Sequence, residues 1–165
     1  MMPDHENASE QTSFEILGHL ITPELVPAIM RKAAGIRWGT HLLRWRYFDV
    51  THAGIQVHRG SLIPTATWHL IKRVYVDQDW PVGTTLDRLN ADARATLLAD
   101  DSEIWVYGYY RTDPPRLQWG VWNATTGIAV VYDSEADLIA TVFKPIDGSR
   151  FFAGQISAVQ IDRPR

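Results

Sequence analysis

The chain contains no cysteine. Disulfide bonds, zinc sites with thiolate ligands and a cysteine nucleophile are therefore excluded. The 165 residues need no covalent cross-link to fold, because a domain of this length buries roughly two thirds of its unfolded surface. The lack of cysteine also fits a reducing compartment, and we expect a cytoplasmic protein.

Long apolar runs are absent too, since none approaches the roughly 18 residues of a membrane helix. Residues 1–13 are polar and acidic, and they have neither the basic nor the apolar region of a signal peptide. We expect this segment to be a disordered lead-in. Residues 14–165 should form one α+β domain, because no internal repeat and no linker interrupts them. We expect no membrane partner.

An excess of positive charge is missing, since the formal net charge is −3 and there is no basic tail. This argues against a protein that coats long stretches of nucleic acid. It is compatible with an enzyme that contacts a few nucleotides, because a local positive patch can exist within a neutral total.

The common cofactor and metal motifs are absent as well: G-x-G-x-x-G, the Walker loop, H-E-x-x-H and G-x-S-x-G. Their absence argues against a nucleotide cofactor bound in the usual way and against a zinc site. Asp133, Glu135 and Asp137 have the spacing of a calcium loop but lack its central glycine and terminal glutamate, so a solvated turn is the better interpretation. We expect no cofactor and no metal.

Helical patterns occur in two places. Thr22 as N-cap and Pro23 in the first turn begin the first helix, and Gly35 follows as its C-cap. The second helix covers residues 84–99, where Thr85 is the capping residue and apolar residues recur at helical spacing. The seven tryptophans favour a core rich in large rings over a stacking surface.

Strand patterns fill much of the remainder. Residues 48–58 predict a hairpin, and residues 68–76, which are β-branched and aromatic, predict a strand with a helix as the alternative. Further strands are predicted over 104–111, 117–122, 128–132 and 139–143, with a short terminal element over 151–161. Turn residues separate the four strands, and Gly127 supplies the positive φ of one hairpin loop.

The sequence therefore predicts an α+β fold, with an N-terminal helix or helices packed on an antiparallel β-meander of four or more strands. The four predicted strands between residues 104 and 143 should pair in sequential order, because a turn signal lies at each end of each apolar run.

Strand alternation groups the polar residues of the predicted meander. Tyr107, Tyr109 and Arg111 share one face of their strand, and Thr141 should share a face with Ile139 and Phe143. A threonine between apolar neighbours needs a hydrogen-bond partner if it is buried, so Thr141 points to a polar patch or, as the alternative, is an ordinary β-former.

Histidines are concentrated just before the meander. His52 and His58 flank the predicted hairpin, and His69 lies in the next predicted strand. Histidine titrates near neutrality and is the most frequent general acid or base, so this stretch is a candidate for catalysis. A structural or surface role for any one of them is the alternative.

Two segments carry a resemblance to a known family. Residues 127–145 read GIAVVYDSEADLIATVFKP, and the histidine-bearing segment 48–58 reads FDVTHAGIQVH. Together they resemble the barnase, EndoU, colicin and RelE group of small ribonucleases, especially its phage-associated branches. In those branches a histidine segment precedes the sheet, and the final strand carries a threonine in a T-V-F or T-A-Y pattern. The chain departs from the group in its acidic charge and in the additional helix over 84–99.

The resemblance implies a metal-independent endoribonuclease of the toxin type, which cleaves RNA through attack of the ribose 2′-OH on the adjacent phosphate. It implies that His58 or His52 is the general acid or base. RNA would be the substrate, and a cognate antitoxin or another protein would be a partner.

The resemblance also assigns roles around the phosphate and the base. Arg111 and Lys144 would clamp the phosphate, and Thr141 would donate a hydrogen bond to it. Tyr107 or Tyr109 would stack on a base.

A non-catalytic protein-binding module, such as an immunity-like or host-interaction protein, is the alternative function. Exposed tryptophan and tyrosine residues on a sheet suit a protein interface, and an acidic charge suits an immunity protein that binds a basic toxin. Convergence of the histidines with Arg111 and Thr141 in one concave site would favour the enzyme. A flat patch of aromatic residues would favour the binding module.

Overall fold

The structure is a computed structural model that describes residues 21–39, 43–46, 50–52, 55–57 and 61–162. The predicted lead-in over residues 1–13 lies outside the described residues. For the strands between residues 43 and 57, the backbone alone is described. No helix in the described part of the chain is long and apolar enough to cross a bilayer.

Three helices and four short strands precede the main sheet, and one further helix lies between its last two strands. Four helices are described: α1 (Val26–Ala34), α2 (Thr65–Ile71), α3 (Leu86–Leu98) and α4 (Arg150–Ala153). The short strands before the sheet are β1 (Leu43–Arg46), β2 (Val50–His52), β3 (Ile55–Val57) and β4 (Ser61–Pro64). The main sheet contains β5 (Glu103–Tyr109), β6 (Arg116–Asn123), β7 (Ile128–Asp133), β8 (Leu138–Phe143) and β9 (Ile156–Ile161).

The main sheet confirms the predicted meander. Its five strands are antiparallel in the order β8-β7-β6-β5-β9, so β5 to β8 pair in sequential order. The α+β class is confirmed, with one correction: α1, α2 and α3 precede the meander, whereas α4 follows it. The predicted terminal element is α4 followed by β9, which pairs with β5 at the free edge.

Both predicted helices are confirmed, but the predicted N-cap of the first is not: Thr22 makes no capping hydrogen bond with its side chain, and Leu25 is at the N-cap position of α1. A 3₁₀ turn over Pro23–Leu25 leads into α1, and Gly35 is its C-cap. In α3, the Thr85 hydroxyl accepts a hydrogen bond from the Arg88 amide at 3.2 Å, which satisfies one of the free N–H groups of the first turn. The predicted hairpin is also confirmed, because β2 pairs with β3 around residues 53–54.

The main core lies between one face of the sheet and the helices. Its members include alternate residues of the meander strands and three tryptophans, Trp38, Trp80 and Trp119. This burial explains why a chain rich in large rings folds without disulfides, since each buried ring removes a large apolar surface from water.

The opposite face of the sheet is covered over only part of its length. Phe152 of α4 is fully buried against Tyr107, Ala129 and Val131. Gly120 of β6 makes this approach possible, because a Cβ atom there would lie 2.2 Å from the Phe152 ring. The part of this face beyond α4 stays open.

The strand predicted over residues 68–76 is wrong, and the helix given as its alternative is confirmed. The segment is helical, as α2 followed directly by a π-helical turn over Lys72–Val76. Ala66, Leu70 and Val74 all lie in the main core, at the four-residue spacing of a helix face. Packing of this face overrides the β propensity of the valine and tyrosine residues at its end.

The predicted alternation along β8 is also wrong, because the strand contains a bulge. Tyr132 pairs with Ile139 and Val131 pairs with Thr141, so Ala140 is an additional residue. Ile139 and Val142 therefore enter the main core, whereas Ala140 and Thr141 both turn to the opposite face. Thr141 does not share a face with Ile139.

The close packing of Phe152 on Gly120 yields a stability prediction. Gly120→Ala should lower the free energy of unfolding by about 1–3 kcal/mol, since the new methyl group overlaps the ring and forces α4 outward. Urea unfolding monitored by circular dichroism measures the loss.

Gly154→Ala is the matched control, because a Cβ there meets only a backbone oxygen at 3.4 Å. Combining Gly120→Ala with Phe152→Leu should recover part of the loss. An equal cost for the two glycine substitutions would contradict the packing of α4 described above.

Candidate active site

The open part of the sheet's second face forms a concave site, the primary cavity, of about 470 Å³. Strands β5 to β8 form its floor, α2 one wall, and the segment around α4 another. Because the main core fills the other face of the sheet, side chains that point away from the core on these strands point into the cavity.

Three side chains meet at the edge of the primary cavity: His69 and Thr141 line it, and Arg73 contacts both of them from outside its lining. His69 and Arg73 are four residues apart on the continuous helix formed by α2 and the π turn, and Thr141 lies on β8 opposite them. Thr141 Oγ1 is 2.8 Å from Arg73 Nη2 and 3.4 Å from His69 Nδ1. Arg73 Nη2 is also 3.4 Å from His69 Nδ1. We call these three residues the polar triad.

Arg73 is the anchor of the polar triad. Arg73 is only 6% exposed, so its positive charge needs hydrogen-bond acceptors or a carboxylate nearby. Nε donates to the Val142 carbonyl at 2.9 Å, and Nη1 donates to the Asp77 carboxylate at 2.7 Å. The guanidinium carbon also lies 5.6 Å from the centre of the Phe143 ring. Arg73 therefore holds Thr141 in place.

The contacts of the polar triad define hydrogen-bond roles. A guanidinium can only donate, so Thr141 Oγ1 accepts from Arg73 and keeps its own hydrogen for another acceptor. By the same rule, His69 Nδ1 accepts in its contact with Arg73, and the ring proton then lies on Nε2. A neutral imidazole with an unprotonated nitrogen is the form that a general base needs.

The two predicted tyrosines of β5 both lie at the primary cavity, but they differ in exposure. Tyr107 and Tyr109 both line it, but Tyr107 is only 2% exposed because it packs beneath Phe152. The predicted stacking role therefore does not fit Tyr107, whose ring plane is not open to a base. Burial raises the pKa of the Tyr107 phenol, so its hydroxyl stays protonated.

Arg111 lies in the turn after β5, since the strand ends at Tyr109 rather than at residue 111. The side chain is exposed at the rim of the primary cavity, and its Nε donates to the Tyr110 hydroxyl at 2.8 Å. The charge of Arg111 is thus held beside an aromatic ring, where it can meet an anion that enters the cavity.

Lys144 occupies a second cavity of about 490 Å³ that shares Thr141, Phe143 and Phe151 with the first. Its ammonium group lies 4.8 Å from the centre of the Trp80 ring. The predicted phosphate clamps Arg111 and Lys144 therefore line different cavities, and Thr141 lines both.

The structure describes the predicted histidines only in part. His52 is the last residue of β2, but its side chain is not described, and His58 lies outside the described residues. The structure instead brings His69 to the site. Its helical spacing from Arg73 was concealed by the strand prediction, because residues four apart share a face on a helix.

Two further polar residues were missed on the floor. Asp133 was expected in a solvated turn, but it is 1% exposed, and its Oδ1 accepts hydrogen bonds from the amides of Glu135 and Ala136. Its Oδ2 forms an ion pair with Arg116. Gln118 is also buried at the floor. Like Thr141, both are polar residues within or at the end of an apolar run, and that signal could have found them.

No group of three histidine, aspartate or glutamate side chains with the geometry of a metal site occurs within the described ranges.

The second cavity yields a prediction of pH dependence. Burial raises the pKa of the Asp79 carboxyl, although its hydrogen bond from the Lys144 amide opposes the shift, and the nearby Asp77 carboxylate adds to the rise. The folded state therefore holds this proton more tightly than the unfolded chain. The contribution of Asp79 to the stability of the wild-type protein should therefore fall as the pH rises from about 4, the ordinary carboxyl range, through the folded-state pKa.

Asp79→Asn keeps an oxygen that can accept from Lys144 but removes the ionisation. The free energy of unfolding of Asp79→Asn relative to wild type should therefore increase between pH 3 and pH 7. Urea unfolding at several pH values within this range measures the difference, and a decrease over the range would contradict the prediction.

Comparison with known proteins found no relative of this chain. No family model matches the chain, and neither the curated proteins nor the solved structures contain a match. The resemblance to the small ribonucleases therefore stands on the residue pattern of the chain, and an inference about function starts from the geometry of the polar triad and its cavity.

Proposed function

We propose that the protein is a metal-independent endoribonuclease of the toxin type, which cleaves RNA by attack of a ribose 2′-OH on the adjacent phosphate. The observation that carries the proposal is the polar triad, in which a histidine nitrogen, a hydroxyl and a guanidinium lie within 3.4 Å of one another at a concave site. These are the groups that such a transesterification requires, because it needs a base and donors for the phosphoryl oxygens.

His69 acts as the general base in this mechanism. The bound 2′-OH replaces the 3.4 Å contact of Arg73 with His69 Nδ1, this nitrogen takes the 2′-OH proton, and the 2′ oxygen attacks phosphorus. The bond to the 5′ oxygen of the next nucleotide breaks, and that oxygen takes up a proton. The products are a 2′,3′-cyclic phosphate and a free 5′-hydroxyl. The second histidine of the mechanism remains the prediction from the resemblance, His58 or His52.

Thr141 and Arg73 stabilise the charge that develops on the phosphate. The Thr141 hydroxyl accepts from Arg73 and so directs its own hydrogen to a non-bridging oxygen. Arg73 contributes its charge from behind this hydroxyl, in a position fixed by Asp77 and Val142. A donor held in this way needs little reorganisation when the transition state forms.

Cations that line the two cavities suit binding of the RNA phosphates on either side of the cleaved bond. Lys72, Arg111 and Lys144 line these cavities, and none of them forms an ion pair with another described residue. They provide a local positive region in a chain whose total charge is −3. An enzyme that contacts only a few nucleotides needs no more than this.

The shape of the aromatic surface favours a nucleotide over a protein partner. Tyr109, Tyr110 and Phe151 border a concave cavity, whereas a protein-binding module was expected to present its rings as a flat patch. Aromatic rings at a concave site can stack on bases regardless of sequence. The binding module remains the function to be inferred if RNA is not cleaved.

Cleavage itself is tested by incubating the purified protein with total RNA in EDTA. We expect fragments that end in 2′,3′-cyclic phosphate, and we expect DNA and 2′-O-methylated RNA to stay intact, because neither has the attacking 2′-OH. Intact RNA under these conditions, or cleavage that depends on a divalent cation, would contradict the proposal.

Substitutions in the polar triad should separate chemistry from folding. His69→Ala and Thr141→Val should each reduce the cleavage rate by about 100-fold or more, the usual scale for losing a base or a charge-stabilising donor. Thr141→Ser keeps the hydroxyl and should stay within about tenfold of wild type. Single-turnover assays measure the rates, and circular dichroism verifies folding. Equal activity of the valine and serine variants would exclude the role of the hydroxyl.

Arg111→Ala tests the cation at the rim. We expect about a tenfold or greater loss of cleavage with unchanged stability, because Arg111 is exposed and its partners are the nearby side chains of Tyr110 and Tyr109. Arg94→Ala on α3 removes the same charge away from the primary cavity and is the matched control. If both variants behave alike, the effect is one of total charge and Arg111 has no specific role.

A further inference from the structure

A row of three polar side chains crosses the floor of the primary cavity. Gln118 of β6 lies directly opposite Tyr107 of β5 on one side and directly opposite Asp133 of β7 on the other. All three residues line the cavity, and all are at least nine-tenths buried. Side chains that are directly opposite on neighbouring strands are close enough to act together on one ligand.

The three members of this row differ in how their hydrogen-bonding groups are satisfied. Asp133 accepts from two backbone amides and pairs with Arg116, so its carboxylate is fully used within the protein. Gln118 and Tyr107, in contrast, make no side-chain hydrogen bond to any residue in the described part of the chain. Their amide and hydroxyl groups are directed into the cavity.

Among the described residues, the fully buried side-chain atoms without a hydrogen-bond partner are Thr65 Oγ1 and Trp122 Nε1. The Gln118 amide and the Tyr107 hydroxyl are not among them, so both groups keep access to the cavity that they line. Other floor residues, such as Val131 and Ala140, are apolar. A few polar groups on a mostly apolar lining are typical of a ligand site, where the ligand completes their hydrogen bonds.

The chemistry of the pair defines the ligand. A glutamine amide presents one donor group and one acceptor side by side, which matches the adjacent donor and acceptor on the edge of a nucleobase. The Tyr107 hydroxyl is a neutral group that can donate a further hydrogen bond. Tyr109 and Phe151 add aromatic rings on the cavity lining that can contact the faces of a planar heterocycle.

We propose that Gln118 and Tyr107 form a base-recognition subsite, in which the Gln118 amide binds the hydrogen-bonding edge of a single nucleobase. The inference rests on the proposed ribonuclease function, and it names the part of the substrate that the primary cavity holds. His69 and Thr141 of the polar triad line the same cavity, so the nucleotide bound by this subsite is next to the bond that is cleaved.

Binding can be measured without cleavage by titrating the wild-type protein with each 2′-deoxynucleoside 5′-monophosphate in a calorimeter. We expect at least one of the four to bind about tenfold or more tightly than 2-deoxyribose 5-phosphate, which has the sugar and the phosphate but no base. Equal affinity for all five compounds, or binding of none, would overturn the subsite.

Gln118→Leu should weaken binding of the preferred nucleotide about tenfold or more, because it removes the amide that binds the edge of the base. Gln160→Leu is the matched control, since Gln160 is exposed on β9 and does not line the cavity. Tyr107→Phe is the second variant and removes only the hydroxyl. Unchanged affinity in both Gln118→Leu and Tyr107→Phe would overturn the proposal.

The same set of measurements separates this inference from the ribonuclease function. If wild-type protein binds a nucleotide through Gln118 but leaves RNA intact, the subsite stands and the nuclease activity fails. If RNA is cleaved while Gln118→Leu neither binds nor cleaves differently from wild type, the nuclease stands and the subsite fails.

Discussion

The hydrogen bonds of the Arg73 guanidinium join the helical layer to the last strand of the meander, and the site depends on them. A charged group buried to this extent is tolerated only when its donors are satisfied, and here they reach Asp77, Thr141 and the Val142 carbonyl. Two of these partners are consecutive residues of β8. One side chain therefore fixes both the distance between helix and sheet and the orientation of the Thr141 hydroxyl toward His69.

The sheet supports this site because its two faces are used differently. One face is closed by the main core, and the other is closed by α4 only as far as Phe152. The uncovered part keeps polar residues such as Gln118 that an apolar core would exclude, and it loses some stability by doing so. Such a local loss is typical of sites where ligands rather than neighbouring side chains complete the hydrogen bonds.

The sequence allowed prediction of the elements whose signals are local. The strands of the meander are bounded by turn residues, and α3 begins at a capping threonine, so neighbouring residues suffice to identify them. The helix that carries His69 and Arg73 could not be identified in this way, since its valines and tyrosine favour a strand until packing of Leu70 and Val74 decides otherwise. The site residues on the sheet could thus be predicted from the sequence, and those on the helix could not.

The additional residue at Ala140 gives β8 a property that no single substitution can reproduce. The bulge changes the phase of the strand, so that Ile139 and Val142 face the core while Thr141 faces the cavity. Removal of Ala140 would restore simple alternation and leave Thr141 on the cavity face, because Ile139 and Thr141 would keep their partners on β7. It would take away the local bend that an additional residue gives a strand. The direction of the strand at Thr141 therefore depends on the number of residues between Asp133 and Thr141, and not on which side chains they carry.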